Sequence, residues 1–382
     1  MRLVTSVHST VPMGGVEWNV YQVSRELARR GHQVNLIYRE PGSLVPDYRR
    51  FCQSVTKVPE VDYWYPTGRR GRPKQLAMVL PAAAVTVRHR PDLIYGSRMM
   101  STGWAIPAGK VARAPIVCHE HGYDGRLSQR RIERFRRHVD RFVVVSRFVA
   151  DQWLSMGLDP DKVDVVFNGI DPAEYPFGGA EERSAARQAL GIDEDLFVVT
   201  CVGRLDREKG VHVLLDAWRR LGLGPDEGAL VVMGSSTVHR DAAAYEAELR
   251  AMATDSVRLV PGQRDVVTPL HAADVAVVPS VVQESFGRTV IEALSTGRPV
   301  LASRVGGIPE IMTGPLQRFL FEQEDAEELA EGLRGLMHWR DRQPELAGVC
   351  RSRVLEQFTL ARMVDGIESS FRSALSSFRS AP

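Results

Sequence analysis

The segment 274–310 reads DVAVVPSVVQESFGRTVIEALSTGRPVLASRVGGIPE. It opens with an apolar run of strand length that a Pro-Ser pair closes. Behind Gly287 the apolar residues take helical spacing, and Gly297, followed shortly by a proline, ends the predicted helix. A second apolar run over residues 299–305 predicts another strand. Strand, loop, helix and strand in this order are the repeating unit of a parallel α/β sheet.

Two carboxylates occupy different places in this unit. Glu284 lies in the predicted strand-to-helix loop, and Glu292 lies in the second turn of the helix that follows. The N-terminus of a helix binds anions through its free N–H groups and the macrodipole. Ionised carboxylates accept hydrogen bonds from hydroxyl groups. The arrangement therefore suits a ligand with a phosphate between two hydroxyl-bearing ends, which is the chemistry of a nucleotide-linked sugar.

The segment closely resembles the E-x7-E signature of the large retaining family of GT-B glycosyltransferases, which includes sucrose synthases, starch synthases and bacterial glycan mannosyltransferases. The matching positions are Glu284, Phe286-Gly287, Glu292-Ala293, Gly297, Pro299-Val300, Gly306-Gly307 and Glu310. The resemblance implies a hexosyltransferase that uses a nucleoside-diphosphate sugar, with Glu292 on the ribose diol. It also assigns the sugar hydroxyls and a phosphate oxygen to Glu284 together with the backbone of Ser285, Phe286 and Gly287.

The rest of the chain alternates predicted strands and helices, and the alternation restarts after a polar stretch at 171–195. We therefore predict an α/β fold of two doubly wound, Rossmann-like domains. The predicted boundaries are 1–172 for an N-terminal acceptor-side domain, 173–359 for a C-terminal nucleotide-sugar-binding domain, and 360–382 for a helix that returns to the first domain. In the GT-B arrangement that the resemblance implies, the domains face each other across a cleft that holds the active site.

A second motif follows the predicted strand 197–203. The sequence GRLDREKG from Gly203 onward is similar to the family's G-R-L-x-x-x-K-G segment. Gly203 ends the strand where a side chain would obstruct a phosphate. The resemblance implies that Arg204 and Lys209 stabilise the charge that grows on the leaving diphosphate. The guanidinium group of Arg204 is a planar fork of donors, and the ammonium group of Lys209 is a mobile point charge. Two solvated surface cations are the alternative.

The first domain contributes a glycine pair and a histidine. Gly14-Gly15 joins the first strand to the first helix, and the resemblance assigns it to the glycine loop near the donor phosphates; plain turn chemistry is the alternative. No G-x-G-x-x-G pattern supports a nicotinamide-binding fold. The strand ending in His119-Glu-His121-Gly matches the family's active-site histidine best at His121. His119 is the second choice, and a metal-binding histidine pair is the third.

Composition and charge indicate the cellular compartment and the kind of partner to expect. No stretch approaches the roughly 20 apolar residues of a membrane span, and the four cysteines lack metal-ligand spacing, so we expect a protein of the reducing cytoplasm. Of the 49 basic residues 44 are Arg and 5 are Lys, which is typical of a GC-rich bacterial genome. Residues 1–180 carry 26 basic and 17 acidic side chains, and residues 181–382 carry 23 and 30. The basic half suggests an anionic acceptor or, through the arginine-rich helix 126–141, peripheral contact with the inner membrane face. A solvated helix is the alternative, and no nucleic acid is expected.

We therefore predict a retaining hexosyltransferase with His121, Glu284, Arg204 and Lys209 as catalytic residues and with no metal or cofactor beyond the nucleotide-sugar co-substrate. Its acceptor would be a hydroxyl of a glycan, a lipid-linked sugar or a small molecule. The alternatives are a nucleotide-sugar epimerase or hydrolase on the same fold and a non-catalytic nucleotide-sugar-binding subunit. Ser285 and Arg288 replace residues that are often small or apolar in the family. The sequence does not choose the base, the sugar, the acceptor or the oligomeric state.

Overall fold

A computed structural model of the protein describes residues 1–12, 14–61, 72–98, 103–122, 129–235 and 242–380, without the side chains of residues 72–76, 129–131 and 242. The chain divides into two compact units. The first consists of Met1–Asn168 with Leu360–Pro382, and the second consists of Gly169–Thr359. Each unit is an α/β sandwich with its own parallel sheet. The first three residues of the predicted arginine-rich helix, 126–128, lie outside the described residues.

The first unit is built on strands β1 (Arg2–Ser9), β2 (Gln33–Glu40), β3 (Ser54–Lys57), β4 (Leu93–Gly96), β5 (Ile116–Glu120), β6 (Arg141–Val144) and β7 (Val163–Val165). They form a parallel sheet in the order β3-β2-β1-β4-β5-β6-β7. The helices between them are α1 (Gly15–Arg29), α2 (Val45–Tyr48), α3 (Arg72–Arg88), α4 (Ala105–Ala112), α5 (Gln129–His138) and α6 (Arg147–Ser155). Near-continuous apolar runs such as Phe142-Val-Val144 form these strands because both faces of the sheet are covered.

The second unit repeats the plan. Its strands are β8 (Phe197–Val202), β9 (Gly228–Gly234), β10 (Val257–Pro261), β11 (Val275–Val278), β12 (Val300–Ser303) and β13 (Leu320–Phe321), in the parallel order β10-β9-β8-β11-β12-β13. Its helices are α7 (Ala180–Leu190), α8 (Val211–Leu221), α9 (Ala242–Met252), α10 (Val267–Ala272), α11 (Arg288–Ser295), α12 (Ile308–Ile311), α13 (Ala326–Leu336), α14 (Trp339–Arg342) and α15 (Leu346–Gln357). The predicted pair of doubly wound α/β units is confirmed.

Strand order fixes where ligands can bind. In the first unit the winding direction reverses between β1 and β4, and in the second it reverses between β8 and β11. Loops that leave the carboxyl ends of two such strands diverge to opposite faces of the sheet and leave a crevice at that end. Gly14-Gly15 follows β1, and Gly203 follows β8. The loop that carries Glu284 follows β11, so this glutamate and Gly203 belong to the same switch point.

The last helix, α16 (Leu360–Ser380), belongs to the first unit. Its buried face includes Val364, Ile367 and Phe371, which join a core with Leu27 of α1 and Tyr95 of β4. An ion-pair cluster closes one edge of this contact, because Arg30 Nη1 lies 2.7 Å from Asp365 and 3.0 Å from Glu368. Within the described residues, no helix is both long and apolar enough to cross a membrane.

We predict that the aromatic contact of α16 holds the first unit together. Phe371 is fully buried and meets the ring of Tyr95 edge-on at 5.2 Å between centroids. Phe371→Ala should lower the free energy of unfolding of the first unit by about 3–5 kcal/mol, the usual cost of emptying a core aromatic site. Urea unfolding read by hydrogen exchange of first-unit peptides measures this. Arg372→Ala, at an exposed neighbour, should change stability by less than about 0.5 kcal/mol; equal losses in both variants would contradict the assignment.

Candidate functional site

Two predicted site residues from distant parts of the chain meet in the second unit. Lys209 Nζ donates to Glu284 Oε1 at 2.5 Å, and the hydroxyl of Ser280 donates to the same oxygen at 2.6 Å. The Lys209 side chain is 28% exposed and that of Glu284 is 17% exposed. The pair is therefore partly open to solvent at the carboxyl ends of β8 and β11. Lys209 is not an unattached surface cation, which was the alternative reading of its motif.

Backbone contacts fix the loop that carries Glu284. The carbonyl oxygen of Glu284 accepts the N–H of Gly307 at 2.8 Å, and the side chain of Gln283 accepts the N–H of Gly306 at 2.6 Å. Gly306 has φ +54°, and a Cβ there would come within 1.9 Å of the Glu284 carbonyl oxygen. No other residue fits at such a distance. The Gly-Gly pair of the signature therefore serves the position of the first glutamate.

Gly210 likewise fixes the start of the loop that carries Glu284. Its φ is +68°, and a Cβ would lie 1.8 Å from the carbonyl oxygen of Pro279. One turn earlier, the 3-10 turn Arg207–Lys209 brings the Glu208 carbonyl oxygen to the N–H of Val281 at 2.9 Å. The Lys209-Gly210 dipeptide is thus joined to the loop by backbone contacts as well as by the Lys209–Glu284 ion pair.

The other residues of the GRLDREKG motif take different positions. Arg204 pairs with Asp206 at 2.8 Å and is 40% exposed. Gly203 directly follows β8, and a Cβ at this residue would have nothing within 4 Å. Protein packing therefore does not require glycine at 203. Its expected purpose, which is to leave room for a phosphate, stays a prediction.

Residues 285–287 connect Glu284 to helix α11. The ring of Phe286 is 3% exposed and packs edge-on against Phe358 at 5.7 Å, so its side chain is a core group. Gly287 is the residue that precedes α11, and a side chain there would collide with Ile308 at 2.8 Å. Ser285 is half-buried.

Glu292 lies in the second turn of α11, as predicted, but it has two partners that the sequence did not indicate. Its Oε1 accepts from the hydroxyl of Tyr175 at 3.0 Å and from Arg288 Nε at 2.7 Å. The Arg288 and Glu292 side chains are 14% and 12% exposed. Arg288 lies one helical turn before Glu292, which is a spacing that could have revealed the ion pair. Tyr175 is 117 residues away in an irregular segment, where no local pattern points to it.

The predicted histidines lie at the end of β5 in the first unit. His119 is 1% exposed, and its Nδ1 lies 2.6 Å from the hydroxyl of Tyr95. The ring centroids of His119 and His121 are 4.2 Å apart. Burial lowers the pKa of His119 to about 3, and burial, with help from His119 and Arg98, lowers the pKa of His121 well below its usual value. Both imidazoles are therefore neutral at pH 7.

The glycine pair of the first unit lies at the start of α1. Gly14 is the residue before the helix and has an extended backbone with φ −159° and ψ 179°. A Cβ at Gly15 would have nothing within 4 Å. Neither residue has a backbone that only glycine can adopt. Close by in the same unit, Arg98 after β4 lies 3.9 Å from Glu17 of α1, and Arg98 also acts on the pKa of His121.

The described residues of the two units offer few side chains that could bind a metal ion together. Among the described residues, no group of three or more His, Cys, Asp or Glu side chains is placed to hold a metal ion. His119 is buried and His121 is half-buried, and the buried Nε2 atoms of both have no hydrogen-bond partner in the part of the chain that the structure describes.

The two doubly wound units, with these residues at their switch points, define the class of protein as a glycosyltransferase of the GT-B type. Residues 13–174 match the family model described as Glycosyltransferase Family 4, and residues 182–347 match the model described as Glycosyl transferases group 1. The chain belongs to the family 4-like GT-B glycosyltransferases. The family assignment made from the E-x7-E segment is thereby confirmed.

Relatives of known name agree at the level of class. The D-inositol 3-phosphate glycosyltransferase of Saccharomonospora viridis is 29% identical, with 98% of this chain and 94% of that protein covered. The Rhodococcus jostii enzyme of the same name is also 29% identical, with 97% and 88% covered.

Solved structures agree in fold. Anabaena HepE in complex with UDP and glucose superimposes with a TM-score of 0.82 at 21% identity, with 97% of this chain and 99% of that chain covered. The sucrose-phosphate synthase of Thermosynechococcus elongatus superimposes with a TM-score of 0.79 at 21% identity, with 99% and 100% covered.

The buried histidines predict a stability that falls in acid. The pKa of His119 is about 3 in the folded protein and about 6.5 in an unfolded chain. Between these values the unfolded state binds a proton that the folded state does not. The free energy of unfolding should therefore fall as pH decreases below 6.5, by up to about 1.4 kcal/mol per pH unit for this residue.

Urea unfolding at pH 6.5 and pH 5, read by hydrogen exchange of β5 peptides, measures that slope. His119→Gln should reduce the slope, and His338→Gln, at an exposed histidine of the second unit, should leave it unchanged. Equal slopes in the wild type and His119→Gln would show that His119 takes up its proton in the folded state.

Proposed function

We propose that this protein transfers a hexosyl unit from a nucleoside-diphosphate sugar to an acceptor hydroxyl with retention at the anomeric carbon. The observation that carries the proposal is the Lys209–Glu284–Ser280 cluster, with Lys209 Nζ 2.5 Å from Glu284. It joins a cation suited to a diphosphate and a carboxylate suited to sugar hydroxyls at the β8/β11 switch point. Switch points of this kind are where doubly wound sheets bind nucleotides.

The cations would act on the leaving group. As the bond between the anomeric carbon and the phosphate oxygen breaks, negative charge grows on the diphosphate. Lys209 and Arg204 would stabilise that charge, and preorganised electrostatic stabilisation is commonly the largest catalytic contribution. Lys209 pairs with Glu284, and Arg204 pairs with Asp206. A bound diphosphate would share or replace those partners.

The donor's other groups would meet the loop and helix α11. Glu284 would accept hydroxyl hydrogen bonds from the sugar, and the backbone of residues 285–287 would donate to a phosphate oxygen. Glu292 would accept from the ribose hydroxyls. The open space at Gly203 supports a phosphate close to the end of β8.

The acceptor hydroxyl would attack the anomeric carbon on the face from which the phosphate departs, and its proton would pass to the leaving phosphate oxygen. No carboxylate nucleophile and no metal takes part in this scheme. His121 would face the donor sugar as a neutral imidazole, which is supported by its lowered pKa, and Gly14-Gly15 would border the phosphates and the acceptor.

An anionic acceptor is part of the proposal. The relatives are named for D-inositol 3-phosphate, and HepE was crystallised with UDP and glucose. In this chain Arg98, which is 45% exposed, lies after β4 at the carboxyl end of the first sheet, and residues 1–180 carry an excess of basic side chains. We therefore propose UDP-linked hexoses and phosphorylated polyols as the first donor and acceptor to be tested.

We expect the phosphate cations to affect turnover more than binding, because the charge they meet is larger in the transition state. Lys209→Ala or Arg204→Ala should lower kcat by about 10²–10³-fold and change the Kd of the nucleotide by less than about tenfold. Steady-state kinetics and calorimetry separate the two effects. Lys110→Ala, at an exposed lysine of α4, is the control. A raised KM with intact kcat would make either cation a docking contact only.

A product analysis tests the reaction itself. An α-linked donor should give an α-linked product, detected by NMR, with EDTA present throughout. Consumption of donor without acceptor would favour the epimerase or hydrolase alternative, and binding without consumption would favour a non-catalytic subunit. His121→Ala should lower transfer by at least about 10²-fold with nucleotide binding retained, because His121 is proposed to meet the sugar and, apart from Gly14-Gly15, the proposed nucleotide contacts belong to the second unit. His119→Ala should be milder; reversed severities or a β-linked product would contradict the proposal.

A further inference from the structure

The surroundings of Glu292 restrict how it can meet a ligand. Both of its hydrogen bonds fall on Oε1, from the Tyr175 hydroxyl at 3.0 Å and from Arg288 Nε at 2.7 Å. A carboxylate oxygen has two lone pairs, so Oε1 is fully used. Within the described residues Oε2 has no comparable contact. Any hydroxyl that Glu292 accepts must therefore come to Oε2.

Tyr175 is itself held firmly in place. Its side chain is 7% exposed, and its carbonyl oxygen accepts from Ser295 Oγ at 2.8 Å and from Arg351 Nη1 at 2.7 Å. Ser295 is the last residue of α11, the helix that carries Glu292. The backbone of Tyr175 is thus tied to one end of α11, while its hydroxyl reaches the glutamate in the middle of the same helix.

The position of Arg288 leaves part of its guanidinium group without hydrogen bonds. Its Nη1 and Nη2 are buried and have no hydrogen-bond partner among the described residues. Unpaired buried N–H groups lower stability, so packing alone does not account for this arginine. Its Nε donates to Glu292 at 2.7 Å, and its guanidinium group also interacts with the hydroxyl of Tyr175, the other partner of that carboxylate. Arg288 therefore secures the orientation of the carboxylate rather than a network of its own.

We propose that Tyr175 and Arg288 are positioning residues that occupy Oε1 of Glu292, aim Oε2 at the ribose, and so set the preference for ribonucleotides over 2′-deoxynucleotides. The inference rests on the proposed function, in which Glu292 accepts from the ribose hydroxyls. If the carboxylate is fixed, a hydroxyl-bearing ribose gains a hydrogen bond that a 2′-deoxyribose cannot make. If the carboxylate is free to rotate, part of that difference is lost.

The test compares the affinities of UDP and 2′-deoxy-UDP by calorimetry, with GDP and 2′-deoxy-GDP as a second pair. The wild type should prefer the ribonucleotide of the better-bound pair by about tenfold, the worth of one hydrogen bond to a charged group. Tyr175→Phe removes only the hydroxyl. It should weaken ribonucleotide binding about three- to tenfold and change 2′-deoxynucleotide binding by less than about twofold. Arg288→Leu should do the same, and Arg288→Lys should recover part of the preference.

Tyr245→Phe is the matched control. Tyr245 is 5% exposed, and its hydroxyl lies 2.9 Å from His212 Nδ1, so this variant also removes a hydrogen-bonded buried hydroxyl from the second unit. It should leave the ribose preference unchanged. Thermal unfolding of each variant shows whether it is folded. Equal weakening of both nucleotides in Tyr175→Phe, or an unchanged preference, would overturn the positioning role.

Glu292→Ala separates this inference from the proposed function. It should weaken ribonucleotide binding by about 10–100-fold and abolish the preference, and adding Tyr175→Phe should then change nothing further. If Glu292→Ala keeps the preference, the ribose role of Glu292 is wrong and the inference falls with it. If Glu292→Ala loses the preference while Tyr175→Phe and Arg288→Leu keep it, only the positioning role is wrong. If none of the four nucleotides binds, the nucleotide-sugar donor is wrong.

Discussion

The candidate donor site depends on two backbone contacts at which only glycine fits. Gly210 approaches the carbonyl oxygen of Pro279, and Gly306 approaches that of Glu284, each so closely that a Cβ would lie within 2.0 Å of the oxygen. These contacts hold both ends of the loop after β11. Once the loop is fixed, Glu284 reaches Lys209, and α11 starts where Glu292 can meet Arg288 and Tyr175. These two glycines of the family motifs are therefore required by the protein's own backbone.

The secondary structure around the site could be predicted, because it depends on the spacing of apolar residues close together in the sequence. The strand, loop and helix around Glu284 and Glu292 follow from apolar spacing, and the parallel sheets follow from the alternation of strands and helices. Two edge strands were not predicted. β3 (Ser54–Lys57) and β13 (Leu320–Phe321) are four and two residues long, which is too short for a periodic signal. Both become strands by pairing with a longer neighbour, β2 and β12 respectively.

Contacts at long sequence separation were not predictable in the same way. The two motifs predicted that Lys209 and Glu284 contact the same ligand, but nothing in the sequence showed that the two side chains pair with each other. Phe286 was assigned to the donor site through its backbone, and the motif did not show that its ring belongs to the core. Tyr175 was missed altogether, because the packing that buries it involves α15 through Arg351 and α11 through Ser295. A motif records which residue types occur together, and tertiary packing decides which atoms remain available.

The two units control the charge of their polar side chains in opposite ways. In the first, burial keeps His119 and His121 uncharged, and this costs stability in acid because the unfolded chain can take up the protons. In the second, charged groups stay partly exposed and neutralise one another, as in Lys209–Glu284 with 28% and 17% exposure. This partial exposure leaves the cation accessible, so the proposed phosphate could compete with Glu284 for Lys209. The backbone that orients Lys209 is already in place, through the contact of the Glu208 carbonyl oxygen with Val281 and the close approach of Gly210 to Pro279.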